Sequence, residues 1–403
     1  MPQAVGGPLT GVRVIDLTIW VQGPVASTLL ADLGADVVKV EKAGTGDFSR
    51  NLGALNGVRL QRDGQPNLMW QMCNRNKRGL ALDLSREAAQ PVFRRLVEQA
   101  DVIVTNLHPS ALAAFHATRE ETQAINPRLI YARGAGLGDR GPRAEDPCQD
   151  TVGMAYGGFM WTSANTSDEP YYPPGAMADV LSGTMLAFGV LAALRERERT
   201  GEGQYVCSSQ LQSLMWMQYL NVGVAANFQE PFAGGDRKHP GSAMVNTYLC
   251  ADGRWVALGL ILDSHWPPFC KAVGLDHLLT DDRFAELWPR MTNAVPLARI
   301  LEGHFLQRPA DYWLERLRAA ALWVSPVNSV TDLANGDAQV EANGYLATFD
   351  DGRRMPSGPF TLESHRAPTS AAPDHGADTD ALLAELEFAN DAIDALRVDG
   401  AVW

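Results

Sequence analysis

Between residues 12 and 133, short runs rich in β-branched residues alternate with segments of helical spacing. That alternation restricts the chain to few folds. Residues 12–17, 36–41, 81–84, 101–105 and 129–133 read as strands. Residues 24–33 have helical spacing and stop at Gly34. Ser85 is placed to cap a helix running to about Gln99, with Glu87 in its first turn, and Pro91 argues for a later start. Strands separated by helices pair in parallel through right-handed crossovers, with helices on both faces of the sheet. The expectation is an α/β protein with a doubly wound, mostly parallel sheet.

After about residue 222 the pattern changes. Residues 228–242 are rich in Gly, Pro and charge and read as a long loop. Residues 247–250 and 254–258, joined through Asp252 and Gly253, read as a β-hairpin. Helical segments follow over 265–317, punctuated by Pro267, Pro268, Pro289 and Pro309. A smaller α/β domain is therefore expected at 225–330, with 1–224 and 331–403 forming a large one. Residues 366–379 read as an extended linker, and 380–396 have helical periodicity.

The net charge of −13 disfavours nucleic acid as a partner but leaves room for a small anionic ligand. The cysteines, Cys73, Cys148, Cys207, Cys250 and Cys270, are scattered with no C-x-x-C, which fits free thiols in a reducing cytoplasm. The eight histidines form neither H-E-x-x-H nor a close cluster, so no metal is expected. No leader is evident at the N-terminus, and no apolar run reads as membrane-spanning. A soluble cytoplasmic protein is the expectation.

The most informative stretch is 174–201. A short loop delivers Asp179 to an apolar segment, 184–194, which ends in a charged turn and Gly201. Asp179 thus sits at a helix N-terminus, where free N–H groups and the dipole favour its ionised form. Two readings stand at this point, a helix N-cap and a nucleophile. Asn74, Arg75, Asn76, Lys77 and Arg78 form either a solvated turn or a phosphate-binding cluster. Lys39, Lys42 and Lys77 lie near strand ends, where open α/β sheets bind ligands. Asn106 and His108 follow a strand in the same way. Asp146 and Asp150 flank Cys148 and Gln149, as a second acid/base or a capped helix start. No G-x-G-x-x-G follows the first strand and no G-x-S-x-G occurs, which disfavours a dinucleotide site and a hydrolase elbow. Trp161, Met177 and Trp216 suit either a nonpolar acyl pocket or core packing.

Taken in order, these residues resemble the family III CoA-transferases. The resemblance is carried by residues 8–17, Gly23-Pro24, 30–41, Gly46-Asp47, 76–78, 82–84, 136–142, Asp179, Gly183 and 200–204, and by the ending 380–393 with Arg397 and Gly400. It implies an acyl-CoA:carboxylate CoA-transferase, with Asp179 as nucleophile forming a covalent aspartyl intermediate. It implies CoA or substrate contacts from Val21, Gln22, Lys42, Asn74, Arg75, Asn76, Lys77, Arg78, Asn106 and Leu107, with Gln149 and Asp150 on the active-site wall. The CoA thioester is substrate, a carboxylic acid is acceptor, and no cofactor is held permanently. It further implies an intertwined homodimer whose large domain binds CoA, with the active site between the large domain of one subunit and the small domain of the other. Three departures matter. Racemase members carry a His where this chain has Gln149, and an amide cannot exchange a proton. Ala114 stands where an arginine is usual. Gly234-Gly235 and the turn at 239–241 replace a glycine run, so an oxalate substrate pair is not expected. An acyl-CoA racemase or isomerase, or a non-catalytic CoA-ester binder, is the alternative.

Overall fold

The computed structural model describes residues 6–62, 64–164, 169–229 and 235–403. Gly234 and part of the loop expected at 228–242 lie outside the described residues. The chain divides into two compact units. One comprises Met1–Met160, Tyr172–Phe232 and Gly344–Trp403, the other Trp161–Tyr171 and Ala233–Asn343.

The first unit is built on six strands, β1 (Arg13–Leu17), β2 (Asp36–Glu41), β3 (Arg78–Ala81), β4 (Val102–Thr105), β5 (Ile130–Ala135) and β6 (Tyr205–Ser209). Their order is β3-β2-β1-β4-β5-β6, and every pairing is parallel. Successive strand residues point to opposite faces. Ile15, Val38, Leu80, Ile103 and Tyr131 therefore join one core, and Val14, Val37, Val102 and Ile130 the other. Six helices matter for the site: α1 (Gln22–Asp32), α2 (Leu68–Asn74), α3 (Gln90–Gln99), α4 (Asp150–Tyr156), α5 (Met177–Thr200) and α6 (Gln210–Met217). Helix α3 covers the first core through Phe93 and Leu96, while α1 and α5 cover the second through Leu30, Leu186 and Val190. The chain leaves β1 in one direction to β2 and crosses back to β4. The carboxyl ends of β1 and β4 thus form a topological switch point, the place where such sheets open a crevice.

Several elements differ from the sequence reading. The third strand is 78–81 rather than 81–84, because Asp83 turns the chain by accepting hydrogen bonds from the backbone N–H and hydroxyl of Ser85. Strand β6 was not anticipated, since its run is polar and lies at the sheet edge. The expected C-terminal helix is two, Thr379–Glu385 and Asn390–Asp399, separated at Glu387 with a left-handed φ of 65°. The segment 366–379 is tied down, with the Ser370 and Ala372 N–H groups donating to Asn76 and Gln71. Helix α5, at 24 residues, is long and apolar enough to span a membrane, contrary to the reading of the apolar runs. Here it packs on α1 and the sheet.

The second unit has a three-stranded antiparallel sheet, β7 (Val245–Leu249), β8 (Trp255–Gly259) and β9 (Val324–Pro326), in the order β9-β8-β7. The expected hairpin is present as β7 and β8. Tyr248, Phe269, Phe305 and Trp313 fill its core. The Trp313 indole donates to the Phe305 carbonyl at 2.9 Å, so its polar edge is satisfied inside.

Candidate active site

Three strand ends converge on one cavity of about 630 Å³ in the first unit. Residues 19–22 after β1, 106–109 after β4 and 133–136 at the end of β5 line it. So do Cys148, Gln149 and Asp150, and Asp179 and Gln210. This is the switch-point crevice that the strand order dictates. Three non-glycine residues on its wall, Trp20, Asn56 and Ala176, have left-handed φ of 65°, 49° and 56°. Such backbone costs energy and persists where surrounding structure holds it, commonly at functional sites.

Asp179 is the third residue of α5, not its N-cap, which is Ala176. Its own carboxylate does not engage the helix terminus. Asp150, at the start of α4, does so instead, with its Oδ1 accepting from the N–H groups of Ala178 (2.8 Å) and Asp179 (3.1 Å). The other oxygen of Asp150 is buried without a well-formed hydrogen bond, and the Tyr172 hydroxyl contributes only a looser contact. Burial raises the Asp150 carboxyl, and the two backbone N–H bonds hold it back. For Asp179 the expected favouring of the ionised form is reversed. Burial first, and then the neighbouring Asp150 charge, push its carboxyl up to about 7. Among the described residues the opposing contact is Gln210, whose Nε2 donates to Asp179 Oδ1 at 2.5 Å. Gln210 in turn accepts from the Cys148 thiol.

Glycine makes room for this arrangement at two positions. A Cβ on Gly153 would sit 2.0 Å from Gln210 Oε1. A Cβ on Gly183 would sit 2.4 Å from the Gln22 carbonyl, where α1 and α5 touch. Gln22 is buried, and its Nε2 donates to the Ala135 carbonyl and to Ser182 Oγ, both at 2.9 Å. It thereby ties the first turn of α1 to β5 and α5. Val21 caps α1 and lines the cavity beside it.

The structure brings some expected site residues to this cavity and others elsewhere. Asn106 lines it and clamps Ile19 with two hydrogen bonds, accepting from its N–H at 2.9 Å and donating to its carbonyl at 2.8 Å. Leu107 lines it and also a neighbouring hollow of about 330 Å³, where exposed Lys42 sits. Gln149 is the N-cap of α4, its side chain accepting from the Thr151 N–H, and His108 caps the helix Pro109–Ala114 in the same manner. Asp146 pairs with Arg143.

The cluster Asn74 to Arg78 lines neither space. Arg75 and Asn76 bond Asp32, and Arg78 pairs with Asp36 and Glu385. Lys77 is wholly buried, giving its ammonium to Asp16 (2.7 Å), Asn74 and the carbonyls of Pro24 and Cys73. Lys39 is equally buried against Asp16, Asp47 and Thr18. These side chains, expected to present donors to phosphate, are spent on internal carboxylates. Trp161, Met177 and Trp216 do not line the cavity and are exposed. The sequence reading missed Gln210, Ser182, Tyr172 and Arg133. Gln210 follows the polar edge strand that gave no pattern, and no motif marks it.

A family model described as CoA-transferase family III matches residues 9–379. The chain is 32% identical over 364 residues to an acetyl-CoA:oxalate CoA-transferase of Acetobacter aceti, covering 90% of this chain and 91% of that one. It is 30% identical over 349 residues to a (R)-2-hydroxy-4-methylpentanoate CoA-transferase of Clostridioides difficile, covering 85% and 86%. A crystal structure of a CAIB/BAIF family protein from Brucella suis superposes with a TM-score of 0.83 at 28% identity, covering 94% and 99%. With this coverage added to the switch-point crevice and its paired carboxylates, the chain belongs to the family III CoA-transferases and is a CoA-transferase.

Proposed function

We propose that this protein moves CoA from an acyl-CoA thioester to a carboxylic acid through a covalent intermediate on Asp179. The observation that carries the reading is a carboxyl group raised to about 7 by burial and by Asp150, in the cavity at the sheet's switch point. Such a carboxylate is still substantially ionised at neutral pH, and it is poorly solvated and more basic than usual. Both properties favour attack on a thioester.

An Asp179 oxygen attacks the thioester carbonyl carbon, the C–S bond breaks, and CoA leaves as thiolate, giving an acyl-aspartyl anhydride. The thiolate attacks the aspartyl carbonyl and releases the donor acid, leaving an aspartyl-CoA thioester. The acceptor carboxylate displaces CoA to form a second anhydride. The thiolate then attacks the acceptor's acyl carbon, which frees Asp179. Gln210 holds the carboxylate for each attack, and the Asp150–helix contact fixes the first turn of α5. Gln149, an amide used as a helix cap, supplies no base for α-proton exchange, which favours transfer over racemisation.

CoA lies across the cavity and the neighbouring hollow, in contact with Val21, Gln22, Asn106 and Leu107, with Lys42 facing its phosphates. The protein works as a homodimer, and its free cysteines suit a reducing cytoplasm.

The test is intact-protein mass spectrometry after mixing with a panel of acyl-CoAs, followed by borohydride trapping and peptide mapping. A modification on Asp179 is expected, and the reactive donors name the substrate. Turnover with no adduct on Asp179, and full activity in Asp179→Ala, would sink the mechanism.

A further inference from the structure

Among the described residues, the buried or half-buried arginines of this unit other than Arg133 are matched to acids, while the other unmatched ones are exposed. Arg50 pairs with Glu41, Arg75 with Asp32, Arg78 with Asp36 and Glu385, and Arg197 with Asp101. Arg133 breaks the pattern. It stands near the carboxyl end of β5, opposite Thr105 on β4 and Cys207 on β6, neither of which is acidic. Its Nε is buried with no hydrogen-bond partner, and its guanidinium makes no ion pair or hydrogen bond among the described residues. Asp146, on the cavity lining, is taken by Arg143, and Asp139, which acts on the same Tyr205 and Cys207 groups as Arg133, makes no ion pair or hydrogen bond with it among the described residues. Burying part of a guanidinium without a partner is unfavourable unless something outside the chain completes it.

The electrostatics of the cavity point the same way. Its lining includes Asp150 and Asp179, and Arg133 is the one lysine or arginine in it among the described residues. Every reactant in CoA transfer is an anion: the thioester carries phosphates, and the acceptor is a carboxylate. Bringing one beside two carboxyl groups requires a fixed positive countercharge. A guanidinium also offers the paired donors that a carboxylate or phosphate accepts.

We infer that Arg133 is the oxyanion-binding residue of this site, receiving a carboxylate or phosphate oxygen pair of the substrate through its free guanidinium. The assignment rests on the transferase reading for the identity of the ligand. The acid source is an acceptor carboxylate, and the other source is CoA itself.

The test compares wild type with Arg133→Gln and Arg133→Lys. Titration calorimetry with CoA forms one arm. Thermal-shift titration with acetate, oxalate and succinate forms the other. Loss of charge-assisted bonds weakens binding roughly tenfold to hundredfold in Arg133→Gln, and Arg133→Lys retains part of the affinity. Weakened CoA binding with unaltered acid response assigns the phosphates, and the converse assigns the acceptor. Melting temperatures are read in the same samples. Removing an unpaired cation leaves the Arg133→Gln melting temperature equal to wild type or higher. If CoA affinity and every acid response are unchanged, or if Arg133→Gln unfolds or melts several degrees lower, the guanidinium is structural and the assignment is overturned. The Asp179 adduct is followed in wild type alongside. Its absence with normal CoA binding overturns the aspartyl mechanism, while the Arg133 comparison stands on its own.

Discussion

Asp179 is a carboxyl group whose surroundings favour the proton, and that has two measurable consequences. If the ionised form is the nucleophile, kcat/KM for the acyl-CoA should rise about tenfold per pH unit below about 7 and level off above it. A profile flat down to pH 5 would remove Asp179 as the titrating group. The second consequence concerns stability. The carboxyl titrates near 7 in the folded protein, against 3.8 for an unperturbed aspartate, so between those values the folded protein holds the proton more firmly than the unfolded chain. As pH rises through that window the buried charge becomes a growing penalty, constant above about 7. Asp179→Asn keeps an oxygen for Gln210 and removes the charge. Its advantage over wild type should be near zero at pH 4, grow to about pH 7, and then stay flat, at about 2 kcal/mol after allowance for partial solvent access. Denaturant midpoints across pH 4–8 measure it. The sequence located this residue because the loop, the apolar helix and its charged, glycine-stopped end are local signals. It did not disclose what sets the residue's chemistry, because Asp150 and Gln210 arrive from 29 and 31 positions away.

At the scale of elements, the alternation of strands and helices was legible because β-branched runs and helical spacing are local patterns. The miss at β3 and the omission of β6 have one origin. A short strand is defined by its partners, and neither 78–81 nor 205–209 carries a distinctive apolar run. The lysines near strand ends show the same limit. Position near a sheet edge was readable, whereas side-chain direction was set by Asp16, which burial works to raise but Lys39 and Lys77 hold well below the usual carboxylate range. Lys77 joins the turn before β3 to β1 and to the start of α1. Lys77→Met should therefore destabilise the fold by about 3–5 kcal/mol, since it leaves Asp16 short of its nearer counter-ion. A variant of normal stability that loses only CoA affinity would restore the phosphate role. The α1–α5 contact gives a sharper case. Gly183 faces a backbone carbonyl, which cannot rotate away as a side chain would. Gly183→Ala should cost about 1–3 kcal/mol by parting the two helices, read as a lowered melting temperature. A melt superimposable on wild type would show that the helices do not meet so closely.

For the whole molecule, the unresolved balance is apolar surface left uncovered in a single chain. The helix Tyr219–Phe228 has no buried residue although most of its side chains are apolar. Tyr219 is 67% exposed and Phe228 71%, and Trp216 just before the helix is 68% exposed and lies 6.1 Å from the Tyr219 ring. A helix apolar on all sides belongs in an interior. Each square ångström of apolar surface removed from water contributes about 25 cal/mol, so a partner covering this helix gains appreciably. A second copy of the chain meets the requirement most economically, because one patch then covers itself across a two-fold axis. Wild type should accordingly sediment as a dimer. The double substitution Tyr219→Glu and Leu220→Glu places two charges on that surface, neither of them within the cavity lining. Like charges facing each other across the axis should shift the protein to monomer, with little change in the stability of the monomer itself. Analytical ultracentrifugation at micromolar concentration decides this. A monomeric wild type, or a dimer indifferent to both charges, would mean that the helix is covered by something other than its own copy.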